Sequence, residues 1–177
     1  MSTSQKQTEA LIMAGLNLIK PALTIYDRDL RLAACNHRFK VMFSLPDNLV
    51  QPGAQFSDTI WHLATAGEYG AIANINGFVQ DRVDIALAFE PHYMERTRAN
   101  GRTISVEGVP LPQGGWVTVY TDITNTKRQE ALLQTRSEEL NEKVLADAEE
   151  LARTNRKLEA TIAALEEAKR ELTEIEA

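Results

Sequence analysis

The sequence is poor in several residue types, and each shortage excludes something. A single cysteine, Cys35, rules out an internal disulfide and any metal site built from several thiolates. It fits a reducing compartment. Lys and Arg number 19 against 25 Asp and Glu, a net charge of -6, and no basic stripe interrupts that balance. Phosphate-backbone recognition needs clustered cations, so nucleic acid is not an expected partner. No apolar run approaches the roughly 20 residues that span a bilayer, so no membrane span is expected. "ALIMAGLNLIKPA" has the look of a secretion signal, but Asn17 interrupts it and Glu9 precedes it. Leu11, Ala14 and Leu18, and Ile12, Leu16 and Ile19, recur at helical spacing, which predicts an amphipathic helix. The expectation is a soluble cytoplasmic chain. No Gly-rich loop opens a helix as a phosphate cradle would, and no set of catalytic side chains converges. An enzyme is therefore not expected from these residues.

The longest shortage lies at the C-terminal end. From Thr121 to Ala177 there is no Gly, no Pro and no aromatic residue. The run "YTDIT", Tyr120 to Thr124, leads straight into this helix-prone tail. The T-x-x-Q spacing of "TKRQ" marks Thr126 as an N-cap. Residues 127 to 177 carry 9 Lys and Arg against 13 Asp and Glu, with both signs interspersed as on a solvated helix.

Within the tail Leu151, Leu158, Leu165 and Leu172 recur every seven residues, with Ala148, Asn155 and Ile162 at the alternate seam position. Leucine at d with mixed residues at a is a heptad pattern, and such a stripe requires a partner helix. Leu at d favours two parallel strands, and a buried Asn at a fixes register. The expected partner is a second copy, in a parallel homodimer. Leu133 and Leu140 continue the stripe through Val144, but eleven residues separate Leu140 from Leu151. That spacing is a stutter, read either as a packing imperfection or as a soft point where the helices rotate. A DNA-binding zipper needs a basic region before its leucines, and "LNEKVLADAEE" is acidic.

What precedes the tail reads as α+β. After the first helix, stopped by Pro21, "ALTIYD" alternates with Leu23 and Ile25 on one face, and "RLAAC" completes a hairpin. Asn36 caps a helix with Phe39, Met42 and Phe43 on one side. A Pro/Gly-rich loop follows, then a helix opened by Ser57 or Asp58, then another from about Asn76 to Phe89. The apolar side of that last helix is Phe78, Val79, Val83, Ile85, Ala86 and Leu87. Pro91 ends it. "HYMERTRA", "RTISVEGVPL" and "WVTVYTDI" are three strands, joined by turns at Asn100-Gly101 and "PQGG". Strands at both ends with helices between predict one antiparallel sheet with helices on a face.

Two stretches, "LTIYDRDLRLAACNHRF" and "NGRTISVEGVPLPQGGWVTVYTDIT", make residues 5 to 125 resemble a PAS domain. More narrowly they resemble the PAS subgroup of bacterial sensor histidine kinases, which ends in "dG-R…-plp-GG-…-ytDIT". The resemblance implies a five-stranded antiparallel sheet with helices over one face. It also implies a flanking helix at residues 1–20, a sensory domain at 21–125 and a coiled-coil signalling helix at 126–177. Asp122, Ile123 and Thr124 would then be a joint that converts movement of the sheet into tilt or rotation of the rod. An effector downstream, a histidine kinase, completes the expected role. The chain ends in mid-pattern at "ELTEIEA", so it is a piece of a longer receptor or its output lies elsewhere. The alternative is a ligand-free dimerisation and interaction scaffold.

The cofactor is left open. "CNHRF" is similar to the N-C-R-F element of cysteinyl-flavin sensors, but Cys35 precedes Asn36 and the segment lies too early, which disfavours that cofactor. Haem is disfavoured because His37, His62 and His92 all fall outside the helix at Asn76 to Phe89. A small-molecule pocket, if present, is expected to be lined by Met42, Trp61, Phe78, Tyr93, Val106 and Tyr120; the other reading is that these residues fill the core.

Overall fold

The computed structural model describes residues 3 to 175, and side-chain surroundings for residues 4 to 170. A helix, α1 (Thr3–Leu18), precedes a hairpin, β1 (Ala22–Tyr26) and β2 (Leu32–Cys35). Three helices follow: α2 (His37–Phe43), α3 (Phe56–Thr65) and α4 (Ile75–Leu87), with a one-turn 3-10 helix at Asp47–Leu49. Then come β3 (His92–Thr97), β4 (Thr103–Pro110) and β5 (Trp116–Asp122), and a last helix, α5 (Thr124–Ile175). The strands form one antiparallel sheet in the order β2-β1-β5-β4-β3. The α+β architecture is thus the one expected.

One face of the sheet is the core face. Ile104 pairs with Asp122 and Arg96, and Val106 with Tyr120 and Met94, so these residues share a side. Ile104 and Val106 are buried with Trp116, Ala22 and Tyr26. From the helices come Phe39, Phe43 and Leu63. The Tyr120 ring packs edge-on against Phe43 at 5.1 Å and at a tilt of 30° against Phe39 at 5.6 Å. In β1 Leu23 and Ile25 share a face, as expected, and it is the outer one. Ala22, Thr24 and Tyr26 point into the core, while Leu23 and Ile25 are half-buried on the outer side. Hydropathy misleads there because a threonine and a tyrosine take the core positions.

Glycine is required where the sheet is tightest. His92 and Trp116 stack at 5.1 Å, and a Cβ on Gly108 would lie 2.3 Å from the indole and 2.5 Å from the imidazole. Only a residue without a side chain fits between them.

Two helices, α2 and α4, start at a side-chain cap. Asn36 accepts the Phe39 amide, as expected. Asn74, rather than Asn76, opens α4, accepting the Gly77 amide at 3.0 Å. α3 begins at Phe56 after Gln55, earlier than Ser57 or Asp58. α5 begins at Thr124, so Thr126 lies within its first turn and is not its cap. Of the expected apolar side of α4, only Ala86 is buried, while Ile85 and Leu87 are exposed.

The fold divides into two compact units, residues 1–127 and 128–177. The second is the remainder of α5, a helix of 52 residues in all, about 78 Å at 1.5 Å per residue.

Candidate functional site

The strand-to-helix junction is built from hydrogen bonds that the local sequence dictates. Asp122 ends β5, and its Oδ1 accepts the Thr124 amide at 3.0 Å and the Thr124 hydroxyl at 2.6 Å. This is the short Asx-type turn that aspartate favours where a chain changes direction. These two bonds from Thr124, helped by Arg102, hold the Asp122 carboxyl below the ordinary carboxylate range. On its other side the Thr124 hydroxyl accepts the Thr103 amide at 2.9 Å. The Ile123 amide donates to the Thr103 carbonyl at 2.9 Å. Arg102 Nη1 reaches Asp122 Oδ2 at 3.2 Å. Asp122, Ile123 and Thr124 therefore fasten the first turn of α5 to the start of β4.

A second tie comes from β3. Lys127 Nζ lies 2.7 Å from Glu95 Oε2, and the Tyr93 hydroxyl donates to Glu95 Oε1 at 2.9 Å. These contacts, Lys127 first, lower the Glu95 carboxyl and in turn raise the Tyr93 hydroxyl.

Beside the junction a cavity of about 930 Å³ opens at one end of the core face. The end of α1 and the segment after it contribute Asn17, Lys20 and Pro21, and α2 contributes His37, Arg38 and Met42. The hairpin between β3 and β4 supplies Arg98, Asn100 and Arg102, and the sheet supplies Ile104 and Asp122. Asn36 sets two of these walls. Its buried amide donates to the carbonyls of Pro21 (2.9 Å) and Leu16 (3.2 Å), while its Oδ1 accepts the amides of Leu23 (3.0 Å) and Phe39 (3.2 Å). Asn17 adds a bond from the His37 amide at 2.7 Å.

Of the six residues expected around a pocket, only Met42 lines this cavity. Val106 and Tyr120 sit side by side in the core, where burial of the ring drives the Tyr120 hydroxyl well above its usual range. Phe78 packs on Tyr69 at 4.9 Å, under the Arg82 guanidinium. Trp61 and Tyr93 do not join them. Trp61 is 50% exposed on α3, and Tyr93 is 62% exposed because β3 alternation turns it to the outer face with Glu95. Cys35 is buried, and burial raises its thiol. His62 lies on α3 and His92 on β3. Among the described residues no His, Cys, Asp and Glu group has the arrangement of a metal site.

Sequence reasoning missed Glu68. Its carboxylate takes both Arg98 Nε (2.7 Å) and Nη2 (2.9 Å) and meets Arg96 Nη1 at 3.0 Å. Arg98 is 8% exposed and lies over the Phe43 ring. The pairing spans thirty residues, so no local pattern signals it.

The heptad positions are all on α5. Val144, Leu151, Leu158, Ile162 and Leu165 are exposed in the single chain, Asn155 likewise, and the Leu172 side chain lies outside the described residues.

A five-stranded antiparallel sheet with a capped core face, a flanking helix and a helix leaving the last strand defines a PAS-type α+β domain. The sequence profile of the PAS fold matches residues 16–131, well over half of the chain, and the chain belongs to that family. The "Non-motile and phage-resistance protein" of Caulobacter vibrioides is 27% identical over 157 residues. That alignment takes in 82% of this chain and only 16% of the relative's length. Among solved structures, the PAS domain of BvgS from Bordetella pertussis is 18% identical, with a TM-score of 0.47. It covers 75% of this chain and 98% of its own. The PAS domain of an HTR-like protein from Haloarcula marismortui is 17% identical, with a TM-score of 0.41, covering 67% and 99%.

Proposed function

We propose that the chain is a sensory and regulatory PAS module that passes its state through α5 to an effector. In this reading α5 is one strand of a parallel homodimeric coiled coil, the effector is a histidine kinase, and the module works in the cytoplasm without a catalytic step of its own. Among the described residues no helix is long and apolar enough to cross a membrane.

The observation that carries the reading is the junction. The hydroxyl of Thr124, the second residue past the last strand, is bonded to Asp122 on β5 and to Thr103 on β4. A shift between those two strands must therefore alter the first turn of α5 or break these bonds. The leucine stripe supports the dimer, since leucines 58% to 71% exposed at Leu158, Leu151 and Leu165 leave a continuous apolar seam in a lone helix. Burying each would contribute about 1.5–3 kcal/mol.

The test is a fusion in which α5 continues in heptad register into a histidine-kinase catalytic core. Asp122→Ala should change the autophosphorylation rate several-fold while the molar mass stays that of a dimer. An unchanged rate in an intact dimer would reduce the junction to an ordinary turn.

A further inference from the structure

The cavity beside the junction has a charge opposite to that of the chain. Overall the chain is at -6. Yet Lys20, Arg38, Arg98 and Arg102 line this one cavity, against a single carboxylate, Asp122. Glu68, behind the wall, neutralises Arg98 through a bidentate pair. The three cations that remain outnumber Asp122 by two. Lys20 and Arg38 make no side-chain ion pair among the described residues, and Arg102 holds Asp122 through one exposed contact at 3.2 Å. Such an exposed pair is weak and readily exchanged. The same cavity has apolar lining at Val41, which is exposed, and Met42, which is half-buried. The volume, about 930 Å³, is that of a site for a small organic molecule.

We propose that this cavity binds a small organic carboxylate with an apolar body. The carboxylate sits among Arg38, Lys20 and Arg102, since a planar guanidinium fork matches a carboxylate's two oxygens. The apolar body lies against Val41 and Met42. Arg102 then exchanges Asp122 for the ligand, which leaves Asp122 held by Thr124 alone. This last step rests on the sensory reading, but the binding site does not.

The first probe is octanoate, titrated into the full chain by calorimetry at low salt, with 1-octanol and inorganic phosphate as companions. Octanoate should bind at one site, octanol much more weakly, and phosphate should not displace octanoate at equal concentration. Arg38→Gln and Arg102→Gln, both at exposed positions, should each weaken octanoate by about tenfold or more, the loss expected for one charge-assisted hydrogen bond. Equal binding of octanol, indifference to both substitutions, or displacement by phosphate would each overturn the proposed ligand class, and no octanoate binding would overturn the site. Spin-label distances across α5 separate this from the sensory reading. Binding without a change in those distances keeps the site and removes the coupling. A change caused by Asp122→Ala in a chain that does not bind octanoate keeps the junction and removes the site.

Discussion

The amide of Thr103 donates to the hydroxyl of Thr124 across 21 residues of sequence, at 2.9 Å. It joins the first residue of β4 to the first residue of α5, and it is partly buried. Thr124→Val keeps the shape of the side chain and removes the acceptor, leaving the Thr103 amide without this partner. The expected loss is about 1–3 kcal/mol in urea unfolding. Thr124→Ser, which restores the hydroxyl, should recover most of it. A Val variant as stable as the original would show that solvent replaces the bond at no cost.

The junction also has a pH signature. Thr124's bonds, first the hydroxyl and then the amide, lower the Asp122 carboxyl from the ordinary 3.8 in the folded state. A group lowered on folding stabilises fully above its unfolded value, and that stability is lost as pH falls through the lower folded value. The Asp47 and Glu95 carboxyls, lowered by Lys40 and by Lys127 respectively, act with the same sign. The urea midpoint should therefore fall between about pH 5 and about pH 3, and Asp122→Asn should show a shallower fall. Parallel curves for the two proteins would assign the acid sensitivity to other carboxylates.

Gly108 tests the packing of the sheet. Its substitution by Ala pushes a methyl between His92 and Trp116, whose rings already stack at 5.1 Å. Both neighbours are ring atoms in a filled site, so relief requires a rotamer change or a backbone shift. The expected cost is about 1–3 kcal/mol by chemical denaturation, with a change in tryptophan fluorescence. A neutral result would show that the His92 ring swings out freely.

Asn36 reads in the sequence as a helix cap, and its larger role is visible only in three dimensions. It is 1% exposed and joins the end of α1, the start of β1 and the first turn of α2 through four hydrogen bonds. Asn36→Ala removes the cap and strands the Leu23 amide. The loss should exceed the 0.5–2 kcal/mol typical of a cap alone, reaching about 3 kcal/mol. Asn36→Asp keeps the acceptor but turns a buried carboxylate oxygen toward the Leu16 and Pro21 carbonyls, so it should cost at least as much as Ala. If Ala costs only what a surface cap costs, the ties to Leu16 and Pro21 contribute little.

The order of elements and the junction were legible because they rest on local signals: alternation, turn residues, and the Asp-Ile-Thr run that caps itself. The pocket was not. Aromatic character alone points to Trp61 and Tyr93 as pocket residues, but strand alternation and helix facing decide which way a ring points, and both are exposed. The cavity residues arise from four separate segments and are mostly polar, so hydropathy gives no hint that they meet. Glu68 with Arg96 and Arg98 is the same case, a pairing of groups distant in sequence. Leu23 and Ile25 show the limit of alternation itself. It identifies two faces of β1 without saying which of them the helices cover.

The last prediction concerns α5. In an isolated helix the seam from Leu151 through Leu165 stands in water, while interspersed charges solvate the other faces. A stripe repeating every seven residues drifts by about 20° per heptad on a straight helix, so only a supercoiled partner keeps every member covered. Leu158→Ala with Leu165→Ala removes two adjacent d-position knobs, each worth about 2–5 kcal/mol when buried. Helix propensity is preserved, since alanine favours helix more than leucine does. The double variant should therefore shift from dimer to monomer at low micromolar protein by light scattering, with the sheet's near-UV circular dichroism intact. Dimers that persist unchanged would move the association surface away from the heptads, and the exposed Leu11 and Leu18 of α1 would be the next pair to change.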